Sequence, residues 1–224
     1  MTERKWLLGI DTCGSVGYVA LSCVEENTVS LLQEIELASG EFSAAIVSTT
    51  AELLLAANIK VHDLAGIVAV YGPGSFTGIR VGLATVKAMA EAAEIPVVTV
   101  SRLAVLAHVA GVPCAVLDAY RGQVFLGVFE DNAQAREMLV TAGEFSNLGK
   151  LPGPVAFCEE SVAHLLETVA TDVNLKRSRA PRASDAIGMA LNQWRAHQFA
   201  DVAALDGHYL RGAEVKMSTR AGRA

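Results

Sequence analysis

The hydrophobic pattern of the chain contains one arrangement twice. Residues 6–25 and residues 113–130 each consist of an apolar run, an aspartate, a short turn with glycine and a second apolar run. Two apolar runs around a short glycine-containing turn are typical of a β-hairpin. Asp11 and Asp118 occupy the same place in the two units, and helical patterns follow each of them. The repeat therefore predicts a mixed α/β protein with two similar lobes, joined near residues 100–112.

The segments after each hairpin predict further elements. Apolar residues of 40–59 recur at helical spacing, and the short branched run at 63–72 is typical of a buried strand. A second helix follows Gly78, and small residues along one of its sides would allow a neighbouring element to approach closely. The remaining predicted elements are a strand over 95–103 and helices over 161–170 and 184–199.

The block over 68–90 holds four glycines within eleven residues. Gly-rich turns between a strand and a helix often hold phosphate. Here the lysine of a Walker loop is missing, because Ile79 follows Gly78, and Thr77 stands where a dinucleotide turn needs its third glycine. The position of Ser75 also fails the Gly-x-Ser-x-Gly pattern of hydrolases. We interpret the block as a rigid strand-to-helix junction in which Ser75 or Thr77 caps the helix.

Composition narrows the classes of function. The chain has 224 residues, of which 52% are hydrophobic, and a net charge of −6, which gives no general attraction to nucleic acid or to an anionic membrane. Basic residues cluster at 176–182 and 211–223, and we interpret both clusters as solvated, with an RNA contact as the secondary alternative. The cysteines are scattered without a CxxC pair, and no apolar run could span a bilayer. We expect a cytoplasmic protein with reduced thiols and no membrane association.

Four motifs resemble those of one protein family. The block GPGSFTGIRVG (72–82) resembles the sequence that marks the TsaB (YeaZ) proteins of bacteria. LLGIDTCGSVGYVAL (7–21), LDAYRGQVFLGVF (117–129) and HYLR (208–211) resemble their first hairpin, second hairpin and closing strand. The resemblance implies the α/β class and the actin/Hsp70-like ATPase fold, with two RNase-H-like lobes of mixed sheets and flanking helices. The implied divisions are an N-terminal lobe at 1–105, a C-terminal lobe at 106–208, and a closing strand with a basic tail at 209–224.

The resemblance also implies a function in tRNA modification. Such proteins take part in making N6-threonylcarbamoyladenosine at position 37 of ANN-decoding tRNAs. They act as a non-catalytic subunit that binds and activates the transferase TsaD. A TsaE-like ATPase joins this heterodimer, the same lobe also forms homodimers, and contact with tRNA is indirect. We therefore expect a protein–protein interaction module without a cofactor of its own.

Groups that an active relative would need are missing from the sequence. TsaD-type transferases hold a metal through HxxxH, and none of the five histidines here has that spacing. ATPases of this fold use a Gly-Gly turn in the second lobe, and the chain has no Gly-Gly pair. Asp11 and Thr12 match the first phosphate turn of the fold, so we expect a weak nucleotide contact there, no metal and no catalytic residue. The alternatives left open are a small-molecule kinase or ATPase of the same fold, and a peptidase.

The helix over 42–57 is apolar on more than one side. A half-buried helix normally has a polar outer face, yet Val47, Leu54 and Leu55 lie away from its core stripe. Either the helix is enclosed by its own domain, or its second face docks another protein. We favour docking, because the family pairs with TsaD through first-lobe helices; Phe42 stands where relatives usually have histidine and adds apolar area. The predicted interface consists of Phe42, Ile46, Val47, Thr49, Thr50, Leu53, Leu54, Gly74, Phe76, Arg80, Ala84, Lys87 and Ala88.

Overall fold

The computed structural model describes residues 4–26, 28–130, 135–167 and 173–211. In the first half of the chain, branched apolar runs alternate with helical patterns, and they form a five-stranded mixed sheet with helices against it. The elements of this half, in chain order, are β1 (Lys5–Asp11), β2 (Gly17–Glu25), β3 (Thr28–Leu37), α1 (Phe42–Ala56), a 3₁₀ helix (Val61–Asp63), β4 (Leu64–Val70), α2 (Phe76–Ala93), β5 (Val97–Val100) and α3 (Arg102–Ala110).

The second half repeats this arrangement with shorter elements around another five-stranded sheet. The described ranges contain no helix that is long and apolar enough to cross a membrane. The elements of the second half are β6 (Cys114–Asp118), β7 (Gln123–Val128), β8 (Arg136–Thr141), α4 (Ala142–Ser146), β9 (Val155–Phe157), α5 (Glu160–Glu167), β10 (Leu175–Arg177) and α6 (Ala183–Arg195).

The two sheets have the same topology. The first has the strand order β3-β2-β1-β4-β5, and the second has the order β8-β7-β6-β9-β10. In both sheets the first three strands pair antiparallel, and the fourth and fifth join in parallel. β1 with β2 and β6 with β7 are the two predicted hairpins. The repeat that Asp11 and Asp118 indicated is therefore confirmed, as is the α/β class with two RNase-H-like lobes.

Each lobe ends in a helix that covers the sheet of the other lobe. α3 follows the first sheet in the chain, but Leu106 of α3 packs with Leu117 of the second sheet. α6 follows the second sheet, but Ile187 of α6 lies in the core of the first. The division at 1–105 and 106–208 stays a prediction about the chain order; in space, these two helices pack on the sheet of the other half. Packing between distant segments, and not order along the chain, decides which sheet each helix covers.

Glycines inside two strands allow α6 to lie close to the first sheet. A Cβ at Gly9 of β1 would lie 2.7 Å from the carbonyl oxygen of Ala183 and 2.9 Å from the Ile187 side chain. A Cβ at Gly66 of β4 would lie 2.8 Å from Nε1 of Trp194. Glycine in a strand interior often marks such a close approach, so these two positions are explained by the docking of α6.

The segment after α6 runs along the first lobe towards the second. Nζ of Lys87 donates hydrogen bonds to two carbonyl oxygens of this segment, at 3.2 Å each. The His208 amide donates to the carbonyl oxygen of Tyr71 at 2.8 Å, and the two rings stack with centroids 5.1 Å apart. Residues 208–211 do not form the predicted closing strand, because this backbone bonds to a loop and not to a sheet edge. The rest of the predicted basic tail, 212–224, lies outside the described residues.

Candidate functional site

Each lobe has an aspartate at the start of its hairpin turn. Oδ1 of Asp11, at the end of β1, accepts a hydrogen bond from the Cys13 amide at 2.8 Å. Oδ1 of Asp118, at the end of β6, accepts one from the Tyr120 amide at 2.6 Å. An aspartate that accepts from the amide two residues further on stabilises the turn between them. The two aspartates of the repeat therefore have the same local role.

Arg102 connects the two turns. Its Nε lies 3.6 Å from Oδ2 of Asp11, and its Nη1 lies 3.7 Å from Oε1 of Glu159. Glu159 in turn accepts a hydrogen bond from the Asp118 amide through Oε2, at 2.9 Å. The Arg102 side chain is 7% exposed. An ionic network with Arg102 and Asp11 buried, which we call the Arg102 network (Asp11, Arg102, Glu159 and Asp118), therefore joins the first lobe to the second.

Burial and charge oppose each other within the Arg102 network. Burial raises the pKa of the Asp11 and Glu159 carboxyls, and the Arg102 guanidinium acts in the opposite direction on both. Burial also acts to lower the pKa of Arg102, but Asp11 and Glu159 outweigh it and leave that pKa raised. Arg102 therefore stays positively charged. Within the described ranges, no group of three or more His, Cys, Asp or Glu side chains could hold a metal ion.

The first hairpin turn is buried and closely packed by other segments. Thr12 is 1% exposed, and its hydroxyl donates to the carbonyl oxygen of Gly78 at 2.7 Å. On another side, a Cβ at Gly14 would lie 2.5 Å from Nη2 of Arg102. Asp11 is also 1% exposed. The weak nucleotide contact at Asp11 and Thr12 stays a prediction; in the structure, α2 and Arg102 pack against these two residues.

The Gly-rich junction packs directly on that hairpin turn. The Ser75 amide donates to the carbonyl oxygen of Cys13 at 2.7 Å, and a Cβ at Gly74 would overlap the same oxygen. A Cβ at Gly78 would overlap the carbonyl oxygen of Thr12. The Ser75 hydroxyl accepts from the Gly78 amide at 3.3 Å, which confirms Ser75 as the helix cap. The glycines of the junction therefore allow close backbone packing, and the space a phosphate would need is occupied by the turn.

Helix α1 has one buried side that belongs to the first lobe. Ile46 and Leu53 are 0% exposed and lie in the core. Phe42, which stands where relatives usually have histidine, lies in the same core against Gly17 and Gly78. Residues three and four apart share one side of a helix, and this side of α1 meets the sheet. Six of the predicted interface residues are buried in the structure: Phe42, Ile46, Thr49, Thr50, Leu53 and Leu54.

The opposite side of α1 is apolar and exposed. Val47 and Leu55 are 62% and 80% exposed. Ala51 lies between them at helical spacing and is exposed as well. We call these three residues the α1 stripe. The predicted interface contained Val47 but omitted Leu55, although its position eight residues after Val47 was a signal that it shares the same side of the helix.

Helix α2, which packs on α1, presents small residues to solvent. Ala84 and Ala88, both predicted for the interface, are exposed. Lys87 was predicted for the same interface, but its amino group holds the segment after α6. Phe76 and Arg80 line a groove at the start of α2. The predicted interface residues therefore divide among the core, the helical surface and this groove.

A groove of about 1090 Å³ lies between the start of α2, the turn after β6 and the segment after α6. Arg80 lies over the Phe76 ring, 3.9 Å from its centroid, and the Tyr209 ring is 5.3 Å from the same ring. Tyr120, in the turn after β6, is 67% exposed. Sequence reasoning did not find this groove, because three segments that are distant in the chain form it.

Comparison with known proteins identifies a matching family model and curated relatives from tRNA threonylcarbamoyladenosine biosynthesis. A family model described as TsaD, tRNA N6-adenosine threonylcarbamoyltransferase, matches residues 34–204. Over 128 residues, the chain is 34% identical to the tRNA threonylcarbamoyladenosine biosynthesis protein TsaB of Bacillus subtilis (strain 168), which covers 55% of each protein. The protein of the same name from Escherichia coli (strain K12) is 30% identical over 130 residues, covering 55% of this chain and 54% of that protein. The chain spans about half the length of these curated relatives.

A solved structure of YeaZ from Pseudomonas aeruginosa has the same fold. It matches with a TM-score of 0.74 at 22% identity, over 92% of this chain and 100% of that chain. The predicted actin/Hsp70-like fold is confirmed by this likeness and by the duplicated sheet topology. Since the TsaD model matches more than half of the chain, the chain belongs to the family of tRNA N6-adenosine threonylcarbamoyltransferase (TsaD), and its predicted resemblance to the TsaB (YeaZ) proteins within that family is confirmed.

Proposed function

We propose that this chain is a non-catalytic subunit that binds and activates a TsaD-like threonylcarbamoyltransferase, for transfer to adenosine 37 of ANN-decoding tRNAs. The observation that carries the proposal is the α1 stripe, in which Val47 and Leu55 are 62% and 80% exposed. The names of the curated relatives support the pathway, since both are tRNA threonylcarbamoyladenosine biosynthesis proteins.

The α1 stripe favours a helical partner. Burying a valine or leucine side chain fully contributes about 1.5–3 kcal/mol, so covering Val47 and Leu55 would stabilise a complex. Small residues such as Ala84 and Ala88 on α2 allow a second helix to approach closely, and helix axes pack about 8–10 Å apart depending on the side chains between them. A TsaD-like protein suits this surface. The TsaD family model matches this chain, so a TsaD-like protein is expected to have a similar fold with similar surface helices. A second copy of this chain would compete for the same surface as a homodimer.

The Arg102 network supports a role without nucleotide chemistry. Where an ATPase of this fold would accept phosphate, Arg102 lies between a carboxylate of the first lobe, Asp11, and one of the second, Glu159. We expect calorimetry with ATP and Mg²⁺ at millimolar concentration to give no binding heat. Binding under these conditions would favour the alternative, a small-molecule kinase or ATPase of the same fold.

Size-exclusion chromatography with light scattering tests the partner. This chain, mixed with the TsaD-like protein and a TsaE-like ATPase of the same organism, is expected to elute in a complex with the TsaD-like protein. Leu55→Asp is expected to abolish that complex, because it places a charge in the α1 stripe. Leu148→Asp, at a leucine that is 36% exposed in the second lobe, is the matched control and is expected to leave the complex intact. A mixture that never forms a complex contradicts the proposal.

A modification assay tests activation. The TsaD-like transferase, supplied with threonylcarbamoyl-adenylate and unmodified tRNA, is expected to form the modified base only when this chain is present. This chain without the transferase is expected to form none. Product made by this chain alone would show that the chain is catalytic and would overturn the proposal.

A further inference from the structure

We infer that the groove between the start of α2, the turn after β6 and the segment after α6 binds single-stranded RNA. An unpaired base would stack on its aromatic side chains, while phosphates contact its arginines. The inference deepens the proposed function and rests on it for the biological source of the RNA, since that function concerns a tRNA. The binding itself requires no residue outside this chain.

The groove is positively charged on a negatively charged protein. Its lining includes the guanidinium groups of Arg80, Arg121 and Arg211, against the carboxylate of Asp206. The chain as a whole carries a net charge of −6. Guanidinium groups form strong, planar hydrogen bonds with phosphate. An excess of arginine at one place on an acidic protein therefore complements a polyanion at that place.

The same groove exposes aromatic rings. Tyr120 and Phe76 are 67% and 54% exposed. The Phe76 ring pairs with Tyr209 on one side and with the Arg80 guanidinium on another, at centroid distances of 5.3 Å and 3.9 Å. Proteins bind unpaired bases by combining a cationic track with rings on which bases stack. Paired bases cannot reach such rings, because they are stacked within their own helix, so the rings favour a single strand.

The groove is held in shape by the residues around it. Tyr120 has a left-handed backbone with φ 61°, and its amide is held by Oδ1 of Asp118 at 2.6 Å. Arg211 donates to the carbonyl oxygen of Ala119 at 2.7 Å, which fixes the segment after α6 beside the same turn. Groups that are ordered before binding lose less entropy on binding. The volume of about 1090 Å³ exceeds the roughly 300–1,000 Å³ of sites for drug-sized molecules, which suits a short stretch of a polymer.

Fluorescence anisotropy with the full chain tests the inference. The probe is a labelled RNA of about ten nucleotides, used either alone or annealed to its complement. We expect the single strand to bind more tightly than the duplex. Its affinity is expected to fall with salt at a logarithmic slope of about −0.7 for each phosphate contact.

Two pairs of variants separate stacking from charge. Tyr120→Ala is expected to weaken binding of the single strand about 5- to 150-fold, because one stacked base is lost. Tyr120→Phe keeps the ring and is expected to bind like the unsubstituted chain; both variants keep a Cβ at the left-handed position. Arg80→Ala is expected to reduce the salt slope by about 0.7. The matched control is Arg136→Ala, since Arg136 is also an exposed arginine, with 62% of its side chain accessible, but lies outside the groove and outside both basic clusters.

Three results would each overturn the inference. The first is equal affinity for the single strand and the duplex. The second is Tyr120→Ala or Arg80→Ala behaving like Arg136→Ala. The third is release of the RNA by an acidic peptide at an equal concentration of charge, which would assign the groove to a protein partner. The assay contains no second protein, so its failure leaves the test of the α1 stripe unaffected, and failure of that test leaves this one unaffected.

Discussion

Arg102 is a single side chain on which the contact between the lobes depends. Removing one partner of a buried ion pair leaves the other charge buried and uncompensated, which typically costs about 3–5 kcal/mol. We expect Arg102→Met to lower the free energy of unfolding by about this amount, because Asp11 and Glu159 lose their shared cation. Urea unfolding near neutral pH, followed by circular dichroism, measures the change.

Arg177→Met is the matched control for that substitution. The Arg177–Glu160 pair is shorter, at 2.8 Å, but its side chains are 57% and 63% exposed. Exposed pairs contribute only about 0–1 kcal/mol, so this variant is expected to unfold almost like the unsubstituted chain. Adding Asp11→Asn to Arg102→Met is expected to restore part of the loss, because one uncompensated charge is removed. Equal destabilisation by Arg102→Met and Arg177→Met would show that loss of the Arg102 network does not cause the lower unfolding free energy of Arg102→Met.

The effect of Arg102→Met is also expected to depend on pH. Burial raises the folded-state pKa of Asp11 and Glu159, and Arg102 opposes that rise. Without Arg102, both folded-state pKa values move further above the unfolded-state values. Stability linked to such a carboxyl is fully present below the unfolded pKa and is lost as pH rises through the folded pKa. The deficit of the variant is therefore expected to be greatest near pH 7 and to shrink towards about pH 4; a deficit independent of pH would contradict this explanation.

At the scale of elements, α2 is placed by its glycines. Gly78→Ala is expected to destabilise the chain by about 1–3 kcal/mol or more, because the new methyl group would overlap the carbonyl oxygen of Thr12 in a different backbone segment. The matched control is Gly188→Ala in α6, where no atom lies within 4 Å of the added Cβ. That change is expected to stabilise the chain by about 0.5–1 kcal/mol, because alanine is the better helix former. Thermal unfolding of both variants measures the contrast, and a shift of the same sign in both would contradict it.

Most elements were predictable because their patterns are local. The two hairpins, α1 and α2 lie where the periodicity of the sequence indicates them. We call the packing of α3 on the second sheet and of α6 on the first the exchange of α3 and α6. It could not be predicted, because nothing within either helix specifies which sheet it will cover. The same applies to the first hairpin turn: Asp11 and Thr12 match a phosphate turn in sequence, but Arg102, from a distant part of the chain, fills the space beside them.

The interface on α1 was predicted in part for a similar reason. Neighbouring residues of a helix point about 100° apart, so Leu54 is 8% exposed while Leu55 is 80% exposed. When both sides of a helix are apolar, the sequence alone does not indicate which side meets the sheet. Only the position of the helix on its own sheet separates Leu53 in the core from Val47 on the surface.

At the scale of the whole molecule, the exchanged helices and the Arg102 network should make the two lobes unfold together. Trp6 and Trp194 both pack against the core of the first lobe, so tryptophan fluorescence reports on that lobe, whereas far-ultraviolet circular dichroism reports on both. We expect the two signals to give one common midpoint in urea. Ile187→Ala is expected to lower the unfolding free energy by about 2–5 kcal/mol and to shift both signals equally. Two separate midpoints would show that the lobes unfold independently.

The exchange of α3 and α6 has a consequence for dividing the polypeptide. Gly111, with a left-handed φ of 63°, directly follows α3. Cleavage after it would leave each fragment with its own sheet and with the helix that shields the other fragment's sheet. Neither piece could complete its interior unaided, and each would display the surface that the other needs. Produced together, the two pieces would be expected to associate as a non-covalent dimer, because in the uncut protein each half already packs one helix on the sheet of the other.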